Sequence, residues 1–198
     1  MKKALAIAAL IAAMFVAGSV QAQTTIYAGY APEKFSLSNS SYNFQGFGVG
    51  LAQNFVFSKG IGVAVGAQFR MNTRSESGTY LGVSAKLRET QTLIDVPILL
   101  NYQISINQDI KVSPFVGPMA SLALSGQSKT SFGNSERIEK WYETSLLNRF
   151  NLYAVIGADL RYKHFNLFGG YRIGLLDLDT SSGTLKTNGI FVGLGYTL

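Results

Sequence analysis

The 198-residue chain is poor in several residue types on which common protein classes depend. It has no cysteine, which excludes disulfide bonds and cysteine-ligated metal sites. Its single histidine argues against a zinc site, and its one tryptophan contrasts with ten tyrosines and thirteen phenylalanines. Proline is limited to four residues and charged residues to 14% of the chain. An exported protein of this composition must be stabilised by packing and backbone hydrogen bonds.

Long apolar runs are also missing, except at the N-terminus. Residues 1–22, MKKALAIAALIAAMFVAGSVQA, place two lysines before a short apolar run, with Val20 and Ala22 at the positions that a signal peptidase reads. This pattern predicts a secretory signal peptide over 1–22 and a β-barrel domain over 23–198. An uncleaved membrane helix is the alternative, but the run is shorter than the roughly 20 residues that a helical span requires.

The net charge is modest. The formal charge is +6 at pH 7, and Lys2 and Lys3 of the predicted signal peptide supply part of it. Such a charge on an exported protein gives no reason to expect a nucleic-acid partner. Glycine is abundant instead, with 21 residues. Many glycines and aromatic residues without a helical period indicate an all-β protein.

A two-residue alternation recurs along the chain. In GIGVAVGAQFRMN, residues 60–72, one face is apolar throughout, while the other carries glycine and alanine before Gln68, Arg70 and Asn72. The same period predicts strands over 45–55, 92–102, 151–162, 165–176 and 189–198. Weaker strands are predicted over 24–30 and over 111–126, where Pro114 and Pro118 indicate a bulge.

The connections between these eight strands alternate in length. Short connections lie at 57–60, 107–109 and 163–164, and long ones at 31–43, 73–90, 126–149 and 177–187. This alternation is typical of an eight-stranded antiparallel up-and-down transmembrane β-barrel, whose apolar face meets lipid and whose glycine-rich face lines a narrow lumen. We therefore predict a Gram-negative outer-membrane protein with periplasmic termini and four external loops.

The charges within the predicted strands lie on the glycine-rich face. They are Arg70, Asp95, Asp159, Arg161 and Arg172. None lies on the apolar face, where an arginine at mid-membrane would cost about 2–4 kcal/mol. One interpretation is a paired charge network that fills and rigidifies the lumen. The other is an ion path lined by the three arginines.

The longest predicted loop, 126–149, carries the tryptophan. Ser135 could cap a short helix in which Ile138, Trp141, Tyr142 and Ser145 share one face. We consider two roles for this segment: a partner-binding or lid element, or aromatic residues that lie in the membrane interface or over the barrel mouth. Five further tyrosines are predicted to form interfacial girdles: Tyr27, Tyr30, Tyr102, Tyr162 and Tyr196.

Residues suited to catalysis are sparse. His164 lies at a predicted short turn, away from the long loops. The acidic residues nearest the predicted rim are Glu76, Glu89, Asp177 and Asp179, but loops commonly carry such charge. We therefore expect no enzyme activity, no cofactor and no metal.

Four segments resemble a known family. LIDVPILLNYQI (93–104), SPFVGPMASLALSG (113–126), NRFNLYAVIGADLRYK (148–163) and FNLFGGYRIGLLDLD (165–179) are similar to the small outer-membrane barrels of the Bacteroidetes, the PorT-like group. The most specific piece is the motif from Asp95 through Pro97 to Tyr102. The resemblance implies an eight-stranded outer-membrane barrel without a catalytic signature, and one branch of the group resembles parts of a secretion apparatus. One departure is the terminal Leu198, since such barrels often end in an aromatic residue.

We expect a structural or interaction role: envelope anchoring, adhesion or partner docking through the external loops. Two alternatives remain at this point, a narrow pore for small solutes and a soluble periplasmic barrel that carries lipid. The expected partners are outer-membrane lipid, the outer-membrane insertion machinery, and an envelope or extracellular protein. We expect the barrel to be a monomer.

Overall fold

The computed structural model describes residues 22–37, 40–57, 60–80, 83–132, 135–143, 147–179 and 184–198. Apart from Ala22, the predicted signal peptide lies outside these ranges. The strands are β1 (Ala22–Tyr30), β2 (Glu33–Leu37), β3 (Ser40–Val56), β4 (Ile61–Tyr80), β5 (Val83–Tyr102), β6 (Ile104–Ser105), β7 (Ile110–Phe132), β8 (Ser135–Lys140), β9 (Phe150–Tyr162), β10 (Phe165–Gly174) and β11 (Leu185–Thr197). Over the described ranges, no helix combines the length and apolarity that crossing a membrane requires.

Eight of these strands form a closed antiparallel ring. Its order is β1-β11-β10-β9-β7-β5-β4-β3, and pairing of β3 with β1 closes it. At the closure, Thr25 of β1 lies opposite Thr197 of β11 on one side and Ala52 of β3 on the other. Closure pairs the backbone N–H and C=O groups within the sheet, as a lipid environment requires. The predicted eight-stranded barrel is confirmed.

The two faces of the ring differ as the alternation predicts. The outer face is apolar, with Val49, Ile156 and Leu194 between 59% and 68% exposed. The inner face alternates glycine with large side chains. Gly193 lies directly opposite Phe168, and a Cβ at position 193 would overlap the Phe168 ring. Glycine therefore makes room for aromatic rings in a lumen that eight strands keep narrow.

The predicted long loops are mostly strand, which corrects the sequence interpretation. Segment 73–90 forms the C-terminal part of β4 and the N-terminal part of β5, which remain paired up to Tyr80 and Val83. Segment 31–43 contains β2, which bridges β11 and β3. In segment 73–90 the hydropathy alternation fades because the strand extensions are polar on both faces, so only cross-strand pairing reveals them.

The predicted helix after Ser135 is also wrong. Ser135–Lys140 is strand β8, which pairs with residues 127–132 of β7. Its residues, SERIEK, are all exposed, which suits a polar hairpin strand. The neighbouring β7 supplies its hydrogen-bond partners. Ser145, the fourth residue of the predicted helical face, lies outside the described residues.

The bulge lies elsewhere than predicted. Pro114 and Pro118 face Ala158 and Ala154 of β9 in continuous register. The register shifts instead between β5 and β7, where Thr92 pairs with Ser125 and Leu93 with Ala123. Leu124 is the extra residue of the bulge, and it lies at the edge of the apolar outer band that is nearer the long loops.

The two ends of the barrel are distinct. The short-turn end carries Ala22, Leu198 and the tight turns, including Lys163, whose φ of 54° completes the β9–β10 turn. The long-loop end carries the other connections. Tyr102, Tyr162 and Tyr196 point outward at the short-turn end, as girdle residues do. Tyr27 is wrongly predicted: its ring points into the lumen and makes an edge-to-face contact with Phe168.

Candidate functional site in the barrel lumen

Two acidic and two basic side chains meet inside the barrel and form the lumen charge cluster: Glu33, Arg70, Asp95 and Arg172. Each is at most 2% exposed. Arg70 on β4 and Asp95 on β5 point inward because both belong to the inner face of their strands. Arg172 enters from β10, and Glu33 from the start of β2. Four strands thus contribute to one buried site.

Arg70 is the centre of this cluster. Its Nε donates to Asp95 Oδ2 at 2.7 Å, and its Nη1 donates to Glu33 Oε2 at 2.5 Å. Asp95 also accepts a hydrogen bond from Ser121 Oγ at 2.5 Å, and Asn72 Nδ2 donates to Glu33 at 2.7 Å. Charge-assisted bonds of this kind, made by a planar guanidinium, are strong and geometrically specific.

Glu33 connects Arg70 to the opposite wall. Tyr153 of β9 donates its hydroxyl to Glu33 Oε1 at 2.5 Å, and Thr187 of β11 donates to the Tyr153 oxygen at 3.0 Å. Arg172 Nη2 lies 3.7 Å from Glu33 Oε2 and donates to the Ala31 carbonyl at 2.8 Å. The network therefore spans the lumen from β4 and β5 to β9, β10 and β11.

Glu33 was missed from the sequence, because it falls in the predicted loop 31–43. Two signals could have found it. The five predicted lumen charges comprise three arginines and two aspartates, so one further acid was required for neutrality. Ala31, Glu33 and Phe35 also alternate with more exposed neighbours, and all three are buried.

The five predicted lumen residues form two groups, not a single network. Asp159 and Arg161 lie nearer the short-turn end, apart from the cluster. Asp159 accepts two hydrogen bonds of 3.0 Å from Asn166 Nδ2, and Arg161 donates to Gln23. The structure thus brings Arg70, Asp95 and Arg172 together and separates Asp159 and Arg161 from them.

Apolar side chains close the lumen above the charges. This mouth cluster consists of Phe35, Phe44, Leu178 and Leu185, with Trp141 and Leu147 packed against it. The Phe35 and Phe44 ring centroids are 4.7 Å apart, and Trp141 meets Phe44 edge-to-face at 6.2 Å. The mouth cluster therefore covers the lumen charge cluster from the long-loop side.

Trp141 and Tyr142 therefore turn inward over the mouth, as one of the two sequence interpretations holds. Trp141 Nε1 donates to Ser128 Oγ at 2.6 Å, and Gln91 Nε2 donates to the Tyr142 hydroxyl at 2.7 Å. Burial raises the pKa of Tyr142. Ile138 lies apart on β8 and is 56% exposed, so the predicted shared face of Ile138, Trp141 and Tyr142 is wrong.

The remaining polar candidates have local partners. Glu76 and Glu89 both pair with Arg74. Asp177 accepts hydrogen bonds from the backbone amides of Leu185 and Asp179, which hold the pKa of Asp177 below its usual value. In the described part of the chain, no three histidine, cysteine or acidic side chains gather into a possible metal site.

A closed antiparallel ring of eight strands, with an apolar outer band and buried charges inside, defines an outer-membrane β-barrel protein. The chain matches the model of the outer membrane protein beta-barrel domain over residues 14–180 and belongs to that family. Its location in the outer membrane follows, and the alternative of a soluble periplasmic lipid carrier is therefore wrong. Comparison with curated proteins finds no match.

The chain is similar to solved outer-membrane proteins at low sequence identity. Ail, the attachment invasion locus protein of Yersinia pestis, is 17% identical, with 89% of this chain and 98% of that chain covered and a TM-score of 0.51. Neisserial surface protein A is 16% identical, with coverages of 88% and 97% and a TM-score of 0.44. OprG from Pseudomonas aeruginosa is 11% identical, with coverages of 91% and 98% and a TM-score of 0.40.

Proposed function

We propose that this protein is a non-conducting outer-membrane barrel that serves envelope anchoring, adhesion or partner docking through the strands at its long-loop end. The closed lumen supports this proposal. Arg70 and Asp95 are fully buried at its centre, and the mouth cluster lies above them. An interior filled by paired side chains is typical of barrels with eight strands. Transport through the lumen is therefore the weaker alternative.

The observation that carries the proposal is an ordered sheet beyond the apolar outer band. This projecting sheet comprises residues 73–80 of β4, 83–91 of β5, 126–132 of β7 and 135–140 of β8. At about 3.3 Å per residue, its longest strands extend roughly 25 Å past the band. A membrane anchor alone has no need of such a structure, whereas a docking surface does.

Side-chain contacts hold the projecting sheet together. Arg74 Nη1 donates to Glu89 at 2.9 Å, and Ser128 Oγ donates to the other Glu89 oxygen at 3.2 Å. Trp141 continues the row through its bond to Ser128. This inner row ties the sheet to the mouth cluster, and the residues of β8 remain exposed. The sheet therefore offers a defined surface rather than loose loops.

We propose that the protein belongs to the PorT-like group of small Bacteroidetes barrels, on the resemblance of the motif from Asp95 through Pro97 to Tyr102, whose residues have defined places in the barrel. Asp95 accepts hydrogen bonds from Arg70 and Ser121 at the centre of the lumen. Pro97 lies beside Gly66, where a Cβ would approach the proline ring to 3.3 Å. The motif thus supplies one charge of the lumen charge cluster and packs against the neighbouring strand β4.

We also propose that the barrel has no enzyme activity, acts as a monomer without nucleic acid, and reaches the membrane through the outer-membrane insertion machinery. The position of His164 supports the first point. Its Nδ1 lies 2.9 Å from the Thr197 carbonyl at the short-turn end, and its ring stacks on Tyr196. The long hairpins lie at the opposite end.

The docking proposal predicts that shortening one hairpin removes partner contact while the barrel still assembles. Ser75 and Arg88 are cross-strand partners, so residues 76–87 can be replaced by Asn-Gly without changing the register. A photo-cross-linking residue at Ser131 should give protein adducts in cells with the full-length hairpin. In the shortened protein these adducts should be lost.

The control is the same cross-linking residue at Ile98, which faces lipid and is 48% exposed. It should give no such adduct in either protein. Unchanged adducts after shortening, or no adduct from the projecting sheet of the wild type, would contradict the proposal. Different gel mobility before and after boiling verifies that each variant has formed its barrel.

A further inference from the structure

A cavity of about 170 Å³ lies inside the barrel beneath the lumen charge cluster. Its middle is lined by aromatic rings, those of Tyr27, Phe115, Phe168 and Phe191. Arg172 lines it at the cluster side. Polar residues line the end nearer the short turns, including Asn54, Asn101, Asp159 and Arg161. The cavity is thus apolar in the middle and polar at both ends.

Several polar atoms of this lining have no hydrogen-bond partner. They are Arg172 Nε, Arg161 Nε and Asn101 Oδ1. Arg172 is 2% exposed, and its bond to the Ala31 carbonyl leaves Nε unused. A buried N–H without an acceptor is destabilising, so native proteins rarely leave one unpaired.

The acids of the cluster are already occupied. Asp95 binds Arg70 and Ser121, and Glu33 Oε1 binds the Tyr153 hydroxyl. Glu33 Oε2 accepts from Arg70 at 2.5 Å but lies 3.7 Å from Arg172. Arg172 is therefore the less completely paired guanidinium of the two in the cluster, and its unpaired Nε belongs to a residue that lines the cavity.

The cavity has the size and lining of a ligand site. A single water needs only about 10–15 Å³ measured in this way, and an apolar cavity of about 150 Å³ in another protein stays dry and binds benzene. Four aromatic rings around the middle of the present cavity disfavour a chain of waters there. They favour an apolar body instead.

We expect access from the short-turn end. Asn54 and Asp159 point inward there and keep partial exposure, whereas Arg70 and Asp95 at the other side of the cavity are fully buried. A ligand would therefore enter with its polar group leading toward Arg172 and its apolar body following. In the predicted orientation this is entry from the periplasm.

We infer that this cavity binds a small monocarboxylic acid, whose carboxylate accepts a hydrogen bond from Arg172 Nε and whose apolar body lies between the aromatic rings. The inference is independent of the docking surface. A carboxylate matches a guanidinium in charge and geometry. Asn101 and Arg161, near the entrance, remain available to water.

The test uses hexanoate as the probe and 1-hexanol as its uncharged control, with the full barrel in lipid nanodiscs. Met119 lines the cavity, so its methyl resonance reports occupancy. Hexanoate should shift this resonance saturably and show intermolecular NOEs to it. Affinity should fall at least tenfold in Arg172→Gln and less than twofold in Arg137→Gln, whose side chain lies on β8 and is 80% exposed. Hexanol should bind at least tenfold more weakly than hexanoate.

A second variant keeps the test decisive if Arg172→Gln fails to fold. Ala64 lines the cavity, and Ala64→Phe fills it while the lumen charge cluster stays intact. This variant should form the barrel and lose the hexanoate response. Equal responses to hexanoate and hexanol, a response that survives Ala64→Phe, or no saturable response of the wild type would overturn the inference.

Discussion

Replacing Arg70 with methionine should destabilise the barrel by about 3–5 kcal/mol, since removal of one partner leaves buried charges uncompensated. Arg70 is fully buried and binds both Asp95 and Glu33, which are equally inaccessible to water. Without the guanidinium, two buried carboxylates lose the cation that they share. Urea unfolding in lipid vesicles, followed by the fluorescence of the single tryptophan, measures the loss.

Two further variants show that the effect comes from burial. Lys129→Met removes an ion pair whose side chains are 40% and 56% exposed, and should cost less than about 1 kcal/mol. Combining Arg70→Met with Asp95→Asn leaves Glu33 beside Arg172, 3.7 Å away, as a neutral pair, and should recover much of the loss. If Arg70→Met costs no more than Lys129→Met, the lumen charge cluster does not stabilise the barrel.

Replacing Gly193 with leucine should destabilise the barrel by about 1–3 kcal/mol or more, through overpacking of the lumen. Gly193 lies opposite Phe168, and an added Cβ would overlap that ring and come within 2.7 Å of the Ala28 carbonyl oxygen. At position 193 the Phe168 ring already occupies the space that a side chain would need, and eight strands fix the diameter of the lumen. The same urea titration measures this change.

Gly78 is a matched control on β4, because nothing lies within 4 Å of an added Cβ there. Gly78→Leu should leave stability within about 0.5 kcal/mol of the wild type, as surface substitutions usually do. Adding Phe168→Ala to Gly193→Leu should cost at least 1 kcal/mol less than the sum of the single changes, because the leucine then occupies vacated space. Equal effects at positions 193 and 78 would show that glycine is not required for packing.

The membrane-spanning fold could be predicted because lipid selects for one apolar face. The segment 60–72 shows the principle: its apolar residues face outward, and its glycine-rich face includes Gln68, Arg70 and Asn72 inside. A one-residue slip would bring Arg70 into lipid, so hydropathy and register agree. Glycines on the inner face then imply a narrow lumen.

The projecting sheet could not be predicted in the same way, because water contacts both of its faces. Residues 73–80, TRSESGTY, have no apolar alternation, and their pairing with β5 comes from cross-strand contacts such as Arg74 with Glu89. The spacing of residues in the segment after Ser135 did not distinguish a helix from a strand. The residue spacing after Ser135 also fits a capped helix. The segment forms a strand instead, because β7 offers it backbone hydrogen-bond partners.

The candidate site was partly predictable. Charges on the inner face had to be buried, which identifies Arg70, Asp95 and Arg172. Two inward charges can pair only if they lie at the same level along the barrel axis. The two-residue sequence period does not give that level. Glu33 enters the lumen from β2, which lies above β1 between β11 and β3, and this insertion is a tertiary feature.

The most direct test of the closed-lumen account is single-channel recording of the purified protein in planar lipid bilayers. We expect no steady conductance from the wild type, because the lumen charge cluster and the mouth cluster together fill the barrel at its long-loop end. A stable conductance from the wild type that disappears in Arg172→Ala would contradict it. The arginines would then line an ion path, and the barrel would be a pore.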